Sequence, residues 1–84
     1  MTTKAKQKLT LDRPATYQIK VPGELDKSWS DWIEDMMVTV GSDDEGLPVS
    51  TLTATLDQAN LLGLLRRLYS LGLPLISVIY VEIE

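Results

Sequence analysis

The strongest constraint on the fold is the run Leu75 to Ile83, which is rich in β-branched residues and apolar on both of its alternating faces. Period-two alternation puts Leu75, Ile79, Val81 and Ile83 on one side and Ile76, Val78 and Tyr80 on the other. Such a strand calls for cover on both faces. A two-layer α+β architecture covers one sheet face only, so the second face meets solvent, a ligand or another subunit.

The segment before it reads as the principal helix. Leu61, Leu65 and Leu68 recur at i, i+4 and i+7, flanked by Leu62, Leu64 and Tyr69, with Gly63, Arg66, Arg67 and Ser70 on the opposite face. Thr55-Leu56-Asp57-Gln58 matches a capping box with Thr55 as N-cap, and Asp57 suits the positive helix end. Gly72 supplies a left-handed stop, and Pro74 cannot continue the helix.

Upstream, Ala15 to Val21 alternates as a half-buried strand with Tyr17, Ile19 and Val21 on one face, ended by Pro22 and Gly23. Leu25 to Ile33 carries Trp29 and Trp32 three apart and reads as a short helix or helical turn, with Asp26 or Ser28 as its N-cap. Met36 to Val40 alternates again, and Gly41 to Gly46 has the composition of a solvated hairpin loop. The partner strand, Val49 to Leu56, sets Leu52, Ala54 and Leu56 against Thr51, Thr53 and Thr55.

The order β, short α, β, β, α, β implies an α+β domain of the ferredoxin-like split βαβ kind with an antiparallel four-stranded sheet. Pro22 to Asp35 barely provides the dozen or so residues that a parallel crossover needs. The alternative is a three-stranded meander plus one long helix, with the final strand beside the first. Residues 1–13 read as a flexible N-terminal tail with Leu9 and Leu11 as candidate anchors, and residues 14–84 as one domain.

Composition narrows the chemistry. The chain has no cysteine and no histidine, which removes thiolate nucleophiles, zinc-thiolate sites, the commonest general base near neutral pH and the commonest transition-metal ligand. No catalytic, cofactor-binding or metal-binding residue is assigned, and an enzyme is disfavoured. Twelve acidic against eight basic residues, a net charge of −4, work against a phosphate-backbone binder. Neither a secretory leader nor a membrane-spanning apolar run is read, so the expected address is the cytoplasm. At 84 residues the domain buries roughly 60–65% of its unfolded surface, and oligomerisation would help it.

Each candidate site has a plainer explanation beside it. Asp43, Asp44 and Glu45 lack the alternating spacing of a calcium loop and suit a hairpin turn. Glu34 and Asp35 would serve acid/base work only if desolvated in a cleft. Trp29 and Trp32 suit a ligand or partner contact as well as a core, and Arg66 and Arg67 an anion clamp as well as a solvated helix face. Ile76, Val78 and Tyr80, taken together with Thr51 and Thr53, form the candidate oligomer surface: an open sheet face on which a homodimer would close.

The run Asp57-Gln58-Ala59-Asn60-Leu61-Leu62-Gly63-Leu64-Leu65-Arg66-Arg67-Leu68, with Leu71-Gly72-Leu73-Pro74-Leu75-Ile76-Ser77-Val78, Trp29-Ser30-Asp31-Trp32 and Thr51-Leu52-Thr53, resembles a set of small uncharacterised bacterial proteins. The resemblance covers Tyr17 to Val78. It implies an ordinary cytoplasmic domain and supplies no catalytic residues. The residues therefore point first to a non-enzymatic binding or assembly module, a homodimer through the open sheet face. A small-molecule-binding ferredoxin-like domain, or a minor enzyme with a cavity between sheet and helices, comes second. An RNA-binding sheet comes third, with its charge against it.

Overall fold

In the computed structural model, which describes residues 9–31, 33 and 35–81, alternation along the chain becomes β1, Ala15–Pro22, with Tyr17, Ile19 and Val21 buried. The chain then crosses through a 3-10 turn, Lys27–Asp31, to β2, Met37–Ser42. Asp26 starts that turn, its carboxylate accepting from the Ser28 N–H at 3.1 Å. A hairpin leads to β3, Pro48–Leu56, followed by α1, Gln58–Ser70, and β4, Ser77–Val81.

The sheet order is β2-β3-β1-β4 with every neighbouring pair antiparallel. Because β1 and β2 both run against β3, they run parallel to each other with β3 inserted between them, which is the split βαβ order. The element content is that of the alternative reading, one long helix and a last strand beside the first. A five-residue 3-10 turn replaces the first helix of the full motif.

Registers align the core. Tyr17 stands opposite Ala54, Ile19 opposite Leu52, and Val38 opposite Leu52 from the other side. These residues share the face over which α1 packs Leu61, Leu64 and Leu68. Leu64 rather than Leu65 completes the buried stripe, and Leu65 is only partly covered. Leu9 packs against this core, and the Leu11 carbonyl accepts from the Gln58 N–H at 3.1 Å, although the Leu11 side chain is exposed.

The helix ends differ in how closely they follow the sequence. Asp57, not Thr55, is the N-cap: its carboxylate accepts from the Asn60 N–H at 2.9 Å. Thr55 still belongs to β3, its hydroxyl 2.9 Å from that of Thr16 on β1. Gln58 donates to the Tyr17 hydroxyl instead of closing a capping box. At the other end Gly72 has φ 80°, and its N–H and that of Leu73 donate to the Tyr69 and Leu68 carbonyls. This is a complete Schellman motif, with Leu73 folding back onto the core.

The hairpin is tighter than the composition implies. The ladder continues to Ser42 opposite Pro48, so Gly41 and Ser42 are strand residues. Asp43 turns the chain by accepting from the Glu45 and Leu47 N–H groups at 2.8 and 2.9 Å.

Candidate interaction surface

Residues directly opposite in an antiparallel pair share a face. Val78 stands opposite Ile19 and Tyr80 opposite Tyr17, so both lie on the helix side of the sheet. The rings of Tyr17 and Tyr80 are 6.0 Å apart at a tilt of 52°. Thr51 stands opposite Lys20 and Thr53 opposite Gln18, on the other face. The structure therefore splits the surface expected from sequence: Val78 and Tyr80 do not join Thr51 and Thr53. The truly open face is polar over much of its area, carrying Thr16, Gln18, Lys20, Thr39, Thr51, Thr53 and Thr55.

The exposed apolar side chains gather instead along β4, on both faces: Val78 and Tyr80 on the helix side, and Ile79 opposite Gln18 on the open face. α1 sits over β3, and the 3-10 turn sits beside β2, which leaves β4 bare at the far edge. Ile76 is 54% exposed, Ile79 47% and Val78 40%. The helix adds to this strip. Arg67 lies about a quarter turn from the buried stripe of α1, on the flank where its guanidinium stands 5.9 Å from the ring centre of Trp29. Leu62 and Tyr69 lie about a third of a turn away in the opposite sense, on the flank from which Gln58 reaches Tyr17 of β1. That flank lies on the β1 side of α1. Of the twelve large hydrophobic residues exposed among the described residues, eight fall between Leu62 and Tyr80.

The remaining candidates disperse. Trp29 and Arg67 meet each other, while Arg66 is exposed on the other side of α1. Trp32 and Glu34 lie outside the described residues. Asp35 is exposed at φ 65°, a left-handed conformation that Asp tolerates better than most residues. It lines an open cleft of about 520 Å³ with Pro14, Ile33 and Asn60. A second cleft of about 440 Å³ opens between Arg13, Thr16, Tyr80 and Val81. Both lie beside Pro14 and Thr55, and the first also reaches Leu56 of β3 and Asn60 in the first turn of α1. Among the described residues no group of three or more carboxylates is placed to hold a metal ion. No helix there is long and apolar enough to cross a membrane.

Sequence reasoning placed Leu62 and Tyr69 only as neighbours of the helical stripe. The signal was the width of that stripe, which exceeds what a single sheet contact covers.

A family model for a domain of unknown function, DUF8691, matches residues 16–79. The chain belongs to that family. The match runs from the second residue of β1 to the middle of β4, so it takes in the helix and all or part of every strand. No curated protein and no solved structure matches the chain.

Proposed function

We propose that this DUF8691 domain is a non-enzymatic binding and assembly module of the cytoplasm that forms a homodimer through its β4 end. The observation that carries this reading is the concentration of exposed apolar side chains on β4, with Leu62 and Tyr69 exposed on the β1-side flank of α1. Exposed apolar side chains gathered in this way mark interaction sites. The edge position of β4 adds a row of backbone donors and acceptors that no other strand uses among the described residues. The lack of histidine and cysteine supports a binding role over a catalytic one. The threonine-rich open face has no aromatic residue among its described positions, which with the net charge of −4 argues against a nucleic-acid partner.

The test is native mass spectrometry and sedimentation of the wild type beside a Val78→Lys/Tyr80→Lys variant. A wild-type dimer at micromolar concentration, and a monomeric variant with an unchanged circular dichroism spectrum, are expected. A wild-type monomer overturns the reading.

A second reading, small-molecule binding, rests on the cleft of about 440 Å³ in which Arg13 faces Tyr80 and Val81. Its volume falls within the range of ligand pockets. A reproducible added mass on the purified protein, lost on Arg13→Ala substitution, would favour it.

A further inference from the structure

The outer edge of β4, which no strand pairs among the described residues, presents a definite set of backbone groups. In an antiparallel sheet a residue's N–H and C=O point to the same side, and successive residues alternate. Continuing the β1–β3 register by one residue, the Gly23 N–H donates to the Pro48 carbonyl at 2.9 Å, while the Lys20 carbonyl accepts from the Ile76 N–H at 2.8 Å. Odd-numbered residues of β1 therefore bond toward β3 and even-numbered ones toward β4. Pro22 obeys this parity, its missing N–H falling on the side where β4 has already ended. Lys20, Gln18 and Thr16 stand opposite Ser77, Ile79 and Val81. Those three residues of β4 turn their backbone groups to β1, and Val78 and Tyr80 turn theirs outward.

The geometry points to an antiparallel pairing of β4 with β4 of a second copy, two-fold about Ile79, an inference that rests on the self-association reading above. In this register Val78 of each copy stands opposite Tyr80 of the other, and each such pair exchanges both of its N–H···O=C bonds. Every outward N–H and C=O of Ser77–Val81 then has a partner. Ile79 meets its own equivalent in a non-hydrogen-bonded pair, where side chains stand closest. On the helix side each Tyr80 ring lies against a Val78, an aromatic and β-branched pair that favours sheets.

The second copy is the occupant because the strand is its own complement under this rotation. Ser77–Val81 contains no charged residue, no proline and no glycine, so neither charge nor proline within the strand blocks edge pairing. The other edge, β2, is also uncharged within the strand but contains Gly41, and it differs in having acids on both flanks, where β4 has Glu82 on one side only. It has Asp35 before it and Asp43, Asp44 and Glu45 after it, and antiparallel self-pairing would set carboxylates against carboxylates.

The absence of native cysteine allows a direct test. Single Val78→Cys, Ile79→Cys and Tyr80→Cys variants are oxidised mildly and resolved by non-reducing electrophoresis. Across the two-fold, position 79 brings Cα atoms to about 4.5 Å, within disulfide reach, whereas positions 78 and 80 are separated by roughly 8 Å from their own equivalents. Ile79→Cys is expected to yield a covalent dimer, and the other two are not. Dominant cross-linking at 78 or 80, or none at 79 in a protein that sediments as a dimer, overturns the register while leaving self-association standing. A companion variant, Val78→Pro, removes an outward N–H without touching the β1 ladder. It is expected to weaken dimerisation roughly tenfold or more while the chain stays folded. Unchanged dimerisation in that variant also overturns the proposal.

Discussion

At the scale of single residues, the Ser50 hydroxyl replaces a backbone donor that the chain lacks. In a regular antiparallel pair residue 48 would donate to the Gly23 carbonyl, but Pro48 has no N–H. Ser50, fully buried on the next inward position of β3, donates to that carbonyl at 2.7 Å and accepts from the Leu25 N–H at 2.9 Å. It thus ties the start of the crossover to the sheet. Ser50→Ala is expected to destabilise the domain by about 1–3 kcal/mol, read as a lower urea midpoint at constant slope, because buried backbone groups lose their partner. Little of this was legible in the sequence. The alternation of β3 places Ser50 inward, but its partners are 25 and 27 residues away, and only the closed sheet brings them together.

Among the elements, legibility follows how local the determining interaction is. The stop of α1 was readable because a left-handed residue at Gly72 and the backbone bonds around it involve only their own neighbours. The start was not. Thr55 and Gln58 have the right letters for a capping box, yet Thr55 is held in β3 by its pairing with Thr16, and Leu56 is buried beneath the helix. Tertiary pairing carries the strand two residues past the local signal, and Asp57 inherits the cap. Asp57→Ala is therefore expected to cost about 1 kcal/mol in thermal or chemical denaturation, and Thr55→Ala under about 0.5 kcal/mol. Equal losses would return the cap to Thr55. The same distinction applies to β4. Its two alternating faces were readable, but which of them lies under the helix side depends on the register with β1, and the sequence contains no local mark of that register.

At the scale of the molecule, the four strands and one α-helix of the described residues leave cover incomplete, and the deficit falls at one edge. α1 packs over β3 and the 3-10 turn replaces a second helix beside β2, so among the described residues β4 has neither a strand outside it nor a helix above it. A small domain gains most from closing such a gap with another copy, since its own core is limited. If association contributes to folding in this way, stability must depend on protein concentration. For a dimer that unfolds to two chains, a tenfold rise in concentration adds about 1.4 kcal/mol per dimer, or about 0.7 kcal/mol per chain. With an unfolding entropy typical of a domain this size, Tm should rise by about 3–5 °C for each tenfold increase. Val78→Pro, which leaves the β1 ladder intact, should flatten that dependence as well as lower Tm. Differential scanning calorimetry across a hundredfold range of concentration separates the cases: a rising Tm in the wild type and a flat one in the variant tie the stability of the fold to the β4 edge, whereas a flat wild-type Tm means that the bare edge is borne by the monomer.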